Sequence, residues 1–385
     1  MINEMNLEVE ELIEKNASDF EISKVFKKYI KDYLNSIDTT MDSNAGKDFF
    51  VKHTKTTDKF LISLYKYIMR KNFGSYQPMS TSIPISLVAL GSYGREQLCI
   101  YSDIDLMILF EDVKGYNIKD IIQEFITLAW DCGLKLGSRV HELNDVEESV
   151  KEDITIKTAI IESRLIYGSK YLWFSYENVL NKIRRTDQVK FIREKHIEHM
   201  DRLNKYPLKM EPNIKDGYGG MREANTLFWV ANIIFGVSKL KYLLDIEFSE
   251  EEYRKYRVSL EYIFQVRNQL HQISKKKLDS VNFDILPELS SKLGFKDTQR
   301  EKKETLAMNK IFDSLHNIHF FTFVMTKKFT RSIEFNPKNF SFIKSTRFTK
   351  NLYIYENKLY TSFHNKPKTL TQFLKEVISL PVEVE

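Results

Sequence analysis

The chain reads as an α+β protein, with a small mixed sheet preceded by a helical segment and followed by a helical bundle. Three observations lead there. Between Ile83 and Leu143, two apolar runs and one alternating run surround a single helix-periodic stretch. Residues 1–75 carry apolar side chains at three- and four-residue steps. From Asp145 to about Ile333 the same period dominates almost without interruption. At 385 residues and 42% hydrophobic content, the chain is long enough for more than one core.

Taken in order, Asn6–Glu14, Glu21–Ile37 and Asp58–Lys71 are predicted helices, and the polar stretch Asp38–Thr57 a loop. Ile83–Leu90 is a buried strand that meets a small-residue turn at Gly91, Ser92 and Gly94. A second strand follows through Asp103, Ile104, Asp105 and Leu106. Ile118–Cys132 is helical, with Gly133 placed to end it, and Leu134–Leu143 alternates as a third strand. Glu147–Gly168, Tyr171–Lys205, Gly220–Val237, Ser249–Lys276 and Thr298–Thr330 are predicted long helices. The irregular stretch Pro207–Gly220 interrupts them. In the tail, Ser341–Thr346 and Leu352–Thr361, with Asn357 near a turn, predict a hairpin before a short helix, Leu370–Ile378. The expected division is an amino-terminal helical segment at 1–75, the sheet domain at 76–168, a helical domain at 169–335 and the tail at 336–385.

The most informative stretch is Leu90-Gly91-Ser92-Tyr93-Gly94-Arg95 followed by Ser102-Asp103-Ile104-Asp105-Leu106. Side chains two apart on a strand share a face, so the two carboxylates look out together beside a glycine turn. Glycine lets backbone N–H groups approach a phosphate, and paired carboxylates hold Mg²⁺ (or Mn²⁺) against it. The chemistry implied is nucleotidyl transfer from a nucleoside triphosphate. Read blandly, the same residues are a polar strand end with a tight turn, which explains the glycines but not the apolar flanks of both acids.

Composition narrows the classes. With 58 basic and 53 acidic residues the net charge is +5, too even to indicate nucleic acid. The runs Lys275-Lys276-Lys277, Lys302-Lys303 and Lys327-Lys328 read as solvated helix faces. Cys99 and Cys132 stand alone, without metal-ligand spacing, which disfavours a disulfide scaffold or structural zinc. The amino terminus is interrupted by Glu4, Glu8, Glu10 and Glu11, unlike a secretory signal, and no 18-residue apolar run suits a membrane span. A cytoplasmic protein is expected.

A second motif, Glu211-Pro212-Asn213-Ile214-Lys215-Asp216-Gly217-Tyr218-Gly219-Gly220-Met221-Arg222-Glu223, sets Asn213, Lys215 and Arg222 on a glycine-rich loop leading into a helix. Such a loop suits phosphate or simply a tight connection. Together with Trp-Asp-x-Gly-x-x-x-Gly, Ile-Glu-Ser-Arg-Leu, Val266-Arg267-Asn268-Gln269-Leu270-His271, Asp279, Pro287-Glu288-Leu289 and Lys292-Leu293-Gly294-Phe295, the order and spacing resemble the PII-protein uridylyltransferase (GlnD-like) family over residues 80–335. The first motif alone resembles the wider nucleotidyltransferase superfamily, with its polymerase-beta-like sheet.

The resemblance implies a Mg²⁺-dependent transferase moving a nucleoside monophosphate, UMP from UTP first, to a protein acceptor such as a PII-like regulator. It implies Gly91, Ser92 and Ser102 at the nucleotide, Arg95 at the triphosphate, Asp103 and Asp105 on the metal, and Asn213, Lys215 and Arg222 facing the same cleft, with the Arg267–His271 helix. Residues departing from the family pattern are Ser92 in place of Gly, His141 in place of a third-strand Arg and Glu223 in place of Asp. Glu142 and Asp153 are weak candidates for a third carboxylate, and Arg267 and His271 equally suit pairing with carboxylates inside the bundle. The family's hydrolase and glutamine-sensing domains are expected to be absent, since the sequence stops at Glu385 and shows no suitable His-Asp pair. Two other readings stay open: a catalytically degenerate nucleotide-binding or interaction module, and nucleotidyl transfer to nucleic acid.

Overall fold

The computed structural model describes residues 1–40, 46–74, 79, 82–334, 346–347, 352–355, 358–361 and 369–378. The chain divides into two compact units, Met1–Thr326 and Lys327–Glu385. The first opens with three helices, α1 (Ile2–Glu14), α2 (Asp19–Thr40) and α3 (Lys47–Phe73). Strands β1 (Ile85–Ala89) and β2 (Ile104–Phe110) follow, joined through a single helical turn, α4 (Gly91–Gly94). Next come α5 (Ile118–Asp131), β3 (Leu136–Glu142), α6 (Val146–Glu152), α7 (Ile154–Ile160) and β4 (Arg164–Gly168). The sheet is mixed, in the order β3-β2-β1-β4, with β2 and β3 parallel and the other pairs antiparallel.

The strands are apolar on both faces because both faces are covered. One face packs Ile85, Leu87 and Ala89 of β1 and Ile104, Leu106 and Ile108 of β2 into a core with Phe60, Leu64 and Ile68 of α3 and Ile122 and Phe125 of α5. The alternate residues Val88, Met107 and Leu109 are equally buried on the other face, where α8 (Lys170–Arg185) packs against β1. The helical half continues with α9 (Gln188–Lys205), α10 (Met221–Phe235), α11 (Glu250–Ser274), α12 (Leu286–Lys292) and α13 (Lys303–Glu334). Ser249 starts α11 with a reciprocal capping box to Glu252, which satisfies two orphan N–H groups.

The mixed sheet and helical bundle agree with the α+β reading, and three elements correct it. The expected loop Asp38–Thr57 is helical from Lys47, because Phe50, His53, Thr54 and Thr57 make a buried stripe at helical spacing that His and Thr disguise. Glu147–Gly168 is not one helix: Asp153 caps α7 by accepting from the Thr155 N–H (2.6 Å), and Arg164–Gly168 pairs with the free edge of β1 as a fourth strand. Tyr171–Lys205 breaks at Asp187, which takes a left-handed conformation with φ +52°.

In the second unit, β5 (Thr346–Arg347), β6 (Leu352–Tyr355) and β7 (Lys358–Thr361) form an antiparallel sheet, followed by α14 (Leu370–Ile378). The hairpin pairs Leu352 with Thr361 and Tyr355 with Lys358. The expected strand residues 341–345 and the turn at Asn357 lie outside the described residues.

Candidate active site

Where β1 ends, the Leu90 N–H donates to the Asp105 carbonyl (2.9 Å), which holds the turn against β2. The chain then passes into α4 with Gly91 at φ +55°, a region that glycine enters without strain. A Cβ on Gly91 would stand 2.9 Å from Asp105 Oδ2. On the other side, the parallel register sets Gly137 of β3 opposite Asp105, and a Cβ there would stand 3.2 Å from Oδ1. The Asp105 carboxylate therefore lies in a slot made by two absent side chains. Asp103 sits one residue ahead of the strand with its side chain 62% exposed. Gly91, Ser92 and Ser102 are half-buried around them.

The electrostatics of this slot favour a cation. Withdrawal from water pushes the Asp105 carboxyl up from its ordinary value, and the charges of Asp103 and Glu162 add to that, against Arg139 and Arg95. Two neighbouring carboxylates suit a divalent ion, and Mg²⁺ commonly takes only one or two protein carboxylates when phosphates complete its shell. Among the described residues no group of three or more His, Cys, Asp or Glu side chains is arranged to hold a metal.

Arg95 is held firmly. Its Nη1 donates to Glu162 Oε1, its Nε to Gln97 Oε1 (3.1 Å), and Trp229 Nε1 of α10 donates to the same Glu162 oxygen. The Glu162 side chain is only 2% exposed, so this buried charge depends on those two donors. Beneath the turn a second clamp joins three elements. Asp58 of α3 accepts from the Tyr93 hydroxyl (2.6 Å) and, bidentately, from Arg164 of β4 (2.9 and 3.1 Å). The Gly-Ser-Tyr-Gly-Arg and Ile-Glu-Ser-Arg segments thus lock each other in place.

The second motif folds back on itself. Asn213 Oδ1 accepts from the N–H groups of Lys215 (3.0 Å) and Asp216 (2.7 Å), and Arg222 Nε donates to Asp216 (3.4 Å). Lys215 Nζ lies 3.7 Å from Asp279 Oδ2, while Arg267 Nε (2.7 Å) and His271 Nε2 (3.4 Å) meet the other oxygen. Burial pulls Asp279 upward, but the His271 hydrogen bond, Arg267 and Lys215 outweigh it and hold the carboxyl well below the usual range. Arg267 and His271 therefore do pair with a carboxylate inside the bundle. Burial depresses His271, whose Nδ1 has no hydrogen-bond partner among the described residues. Glu223, in the family's Asp position, is buried and accepts from the Gly219 N–H (2.7 Å) beside His319 Nδ1 (2.7 Å).

Two contacts bring the helical half to the acid pair. Arg267 Nη1 lies 3.1 Å from Cys99 Sγ, just ahead of the pair, and Lys277 Nζ lies 3.9 Å from Asp103 Oδ2. Of the expected site residues, Gly91, Ser92 and Arg95 lie at the turn beside Asp103 and Asp105, whereas Ser102 bonds to Cys99. Lys215 joins them indirectly, through Asp279 and Arg267. The Asn213 side chain bonds to its own loop and Ser280, and the Arg222 guanidinium to Asp216 of the same loop. Asp153 is spent as a helix cap, and His141 faces Ser149 (3.4 Å).

Sequence reasoning left Glu162, Trp229, Gly137, Asp279 and Lys277 without roles. Glu162, Asp279 and Gly137, the last glycine of Trp-Asp-x-Gly-x-x-x-Gly, were inside recognised motifs, but their partners come from other elements. Nothing in the sequence pairs Trp229 with Glu162.

The GlnD PII-uridylyltransferase family model matches residues 190–324, from α9 to α13. The bifunctional uridylyltransferase/uridylyl-removing enzyme of Azotobacter vinelandii is 32% identical over 237 residues, covering 60% of this chain and 26% of that protein. The Hydrogenovibrio crunogenus enzyme of the same name is 36% identical over 217 residues (55% and 24%), and a Haemophilus influenzae one 32% over 257 residues (65% and 29%). The chain spans about a quarter to a third of the length of these relatives. The chain is thus similar in sequence to a part of these uridylyltransferases, with the family model falling on its helical half.

Proposed function

We propose that this chain is a Mg²⁺-dependent nucleotidyltransferase that moves a nucleoside monophosphate, UMP from UTP first, onto a protein acceptor of the PII type. The observation that carries the reading is the Asp105 carboxylate in its glycine slot beside Asp103, with a helical turn starting at the same point. The similarity to uridylyltransferases supports the choice of nucleotide and acceptor.

Asp103 and Asp105 are the residues that would hold the metal, which when bound would neutralise phosphate charge during in-line displacement at the α-phosphorus. Gly91 leaves room for phosphate to approach the backbone at the turn. Arg95, fixed by Glu162 and Gln97, directs positive charge toward Asp105 without having to reorganise. The acceptor's nucleophile would attack as the pyrophosphate leaves. Intact acids argue against a degenerate module, and the even charge of the sequence argues against a nucleic-acid acceptor.

The test is incubation of the chain with Mg²⁺, each of the four triphosphates in turn and a PII protein, followed by intact mass measurement. A gain of one uridylyl group on PII with UTP supports the reading. An unmodified PII with every triphosphate, alongside a folded enzyme, contradicts it.

A further inference from the structure

The run Lys275-Lys276-Lys277 looks like a solvated helix end, yet the fold makes its third lysine part of the acid-pair site. We propose that Lys277 is a triphosphate-binding residue, supplied to the nucleotide site by the helical half; this rests on the nucleotidyltransferase reading above.

Helix α11 stops at Lys275, which takes a left-handed conformation with φ +51°, and the Ser274 hydroxyl donates to the Lys276 carbonyl (2.8 Å). Two residues after Lys277 the backbone is pinned: the Asp279 carbonyl accepts from the Ile214 N–H (2.9 Å), and Ser280 bridges Asn213. The Asp279 side chain is gripped by Arg267 at 2.7 Å, and Arg267 itself reaches Cys99. Lys277 therefore projects from a short segment anchored at both ends and tied, through Arg267 and Cys99, to the loop that leads into the acids.

Charge bookkeeping then singles it out. A triphosphate bound through Mg²⁺ to two carboxylates keeps a net negative charge that protein cations must meet. Arg95 pairs with Glu162 and Arg139 of β3 acts on Asp105 only through its field, while Lys215 and Arg267 share Asp279 and Arg222 pairs with Asp216. Among the described residues, Lys277 is the cation in ion-pair range of a carboxylate of the pair, at 3.9 Å from Asp103. Its side chain is 48% exposed, so its ammonium is free to turn to a phosphate oxygen when a metal takes up the Asp103 charge. Half-exposed pairs of this length contribute little to folding, so the pair itself does not hold Lys277 away from a ligand.

The test is isothermal titration of the full chain with each triphosphate plus Mg²⁺, with the corresponding monophosphate, and with Mn²⁺ alone. Lys277→Ala should weaken triphosphate binding about tenfold, leave monophosphate binding unchanged and leave Mn²⁺ binding unchanged or tighter. Lys277→Arg should restore most of the loss, and Lys276→Ala should bind as the parent does. Circular dichroism checks that each variant is folded. Triphosphate affinity that is unchanged or improved in Lys277→Ala, while Asp103→Asn with Asp105→Asn abolishes metal-dependent binding, would overturn the proposal and leave the nucleotidyltransferase reading standing. No metal-dependent triphosphate binding by the parent chain would overturn both.

Discussion

Replacing Gly91 by Ala is a small change with two separable consequences. The residue sits at φ +55°, where a side chain costs about 1–2 kcal/mol. The added Cβ would lie 2.9 Å from Asp105 Oδ2, closer than a carbon and an oxygen rest together, so the Asp105 carboxylate must turn. Moving that side chain off its rotamer adds about 0.5–1.5 kcal/mol. The stiffer unfolded chain offsets about 0.4–1 kcal/mol, leaving a net loss of about 0.5–3 kcal/mol. Gly137→Ala is the matched control. It too presses on Asp105, at 3.2 Å from Oδ1, but without the left-handed backbone. Urea unfolding should therefore show a lower midpoint for Gly91→Ala than for Gly137→Ala. Titration with Mg²⁺ and triphosphate should show weaker binding in both, more severely in Gly91→Ala. Parent-like stability and affinity in Gly91→Ala would refute the claim that this glycine serves the Asp105 slot.

Further outcomes follow from the buried polar contacts. Asp58→Ala removes the acceptor shared by Tyr93 and Arg164 and should cost about 2–4 kcal/mol in urea unfolding, since it strands a partly buried guanidinium. Trp229→Phe deletes one of the two donors to the buried Glu162 carboxylate and should cost about 1–2 kcal/mol by the same assay. His53 is buried, and desolvation takes its pKa from 6.5 down to about 4. The unfolded chain therefore binds a proton between those values that the folded chain refuses. Stability is complete above about pH 6.5 and falls as the pH drops toward 4, by up to roughly 3 kcal/mol for this group. His53→Phe, which keeps the ring stack with Phe49, should flatten that part of the stability–pH profile.

The acid pair, its glycine turn and the alternation between strand and helix were legible in the sequence because each depends on local spacing. The fourth strand was not. Arg164–Gly168 is five residues long, and so short a run has no period to separate it from a helix end; it becomes a strand because β1 offers a free edge. The start of α3 was hidden because its buried stripe uses His53, Thr54 and Thr57 in place of aliphatic residues. In the site, Glu162 was visible as part of a motif, but its role depends on Arg95 and on Trp229, 67 residues further along the chain. The lysine run illustrates the same limit. Composition makes it a solvent-facing helix end, whereas the anchoring of Asp279 by three side chains turns Lys277 toward Asp103.

The most direct measurement of the central claim is transfer of label from [α-³²P]UTP to PII by the purified chain, compared with its Asp103→Asn, Asp105→Asn double variant, in the presence and absence of Mg²⁺. Neutral amides cannot balance the charge of a metal ion, so the double variant should stay folded and transfer nothing, and the parent should transfer only with metal present. Equal labelling by parent and double variant, or labelling by the parent that does not depend on the metal, would contradict the assignment of the acid pair as the reactive centre.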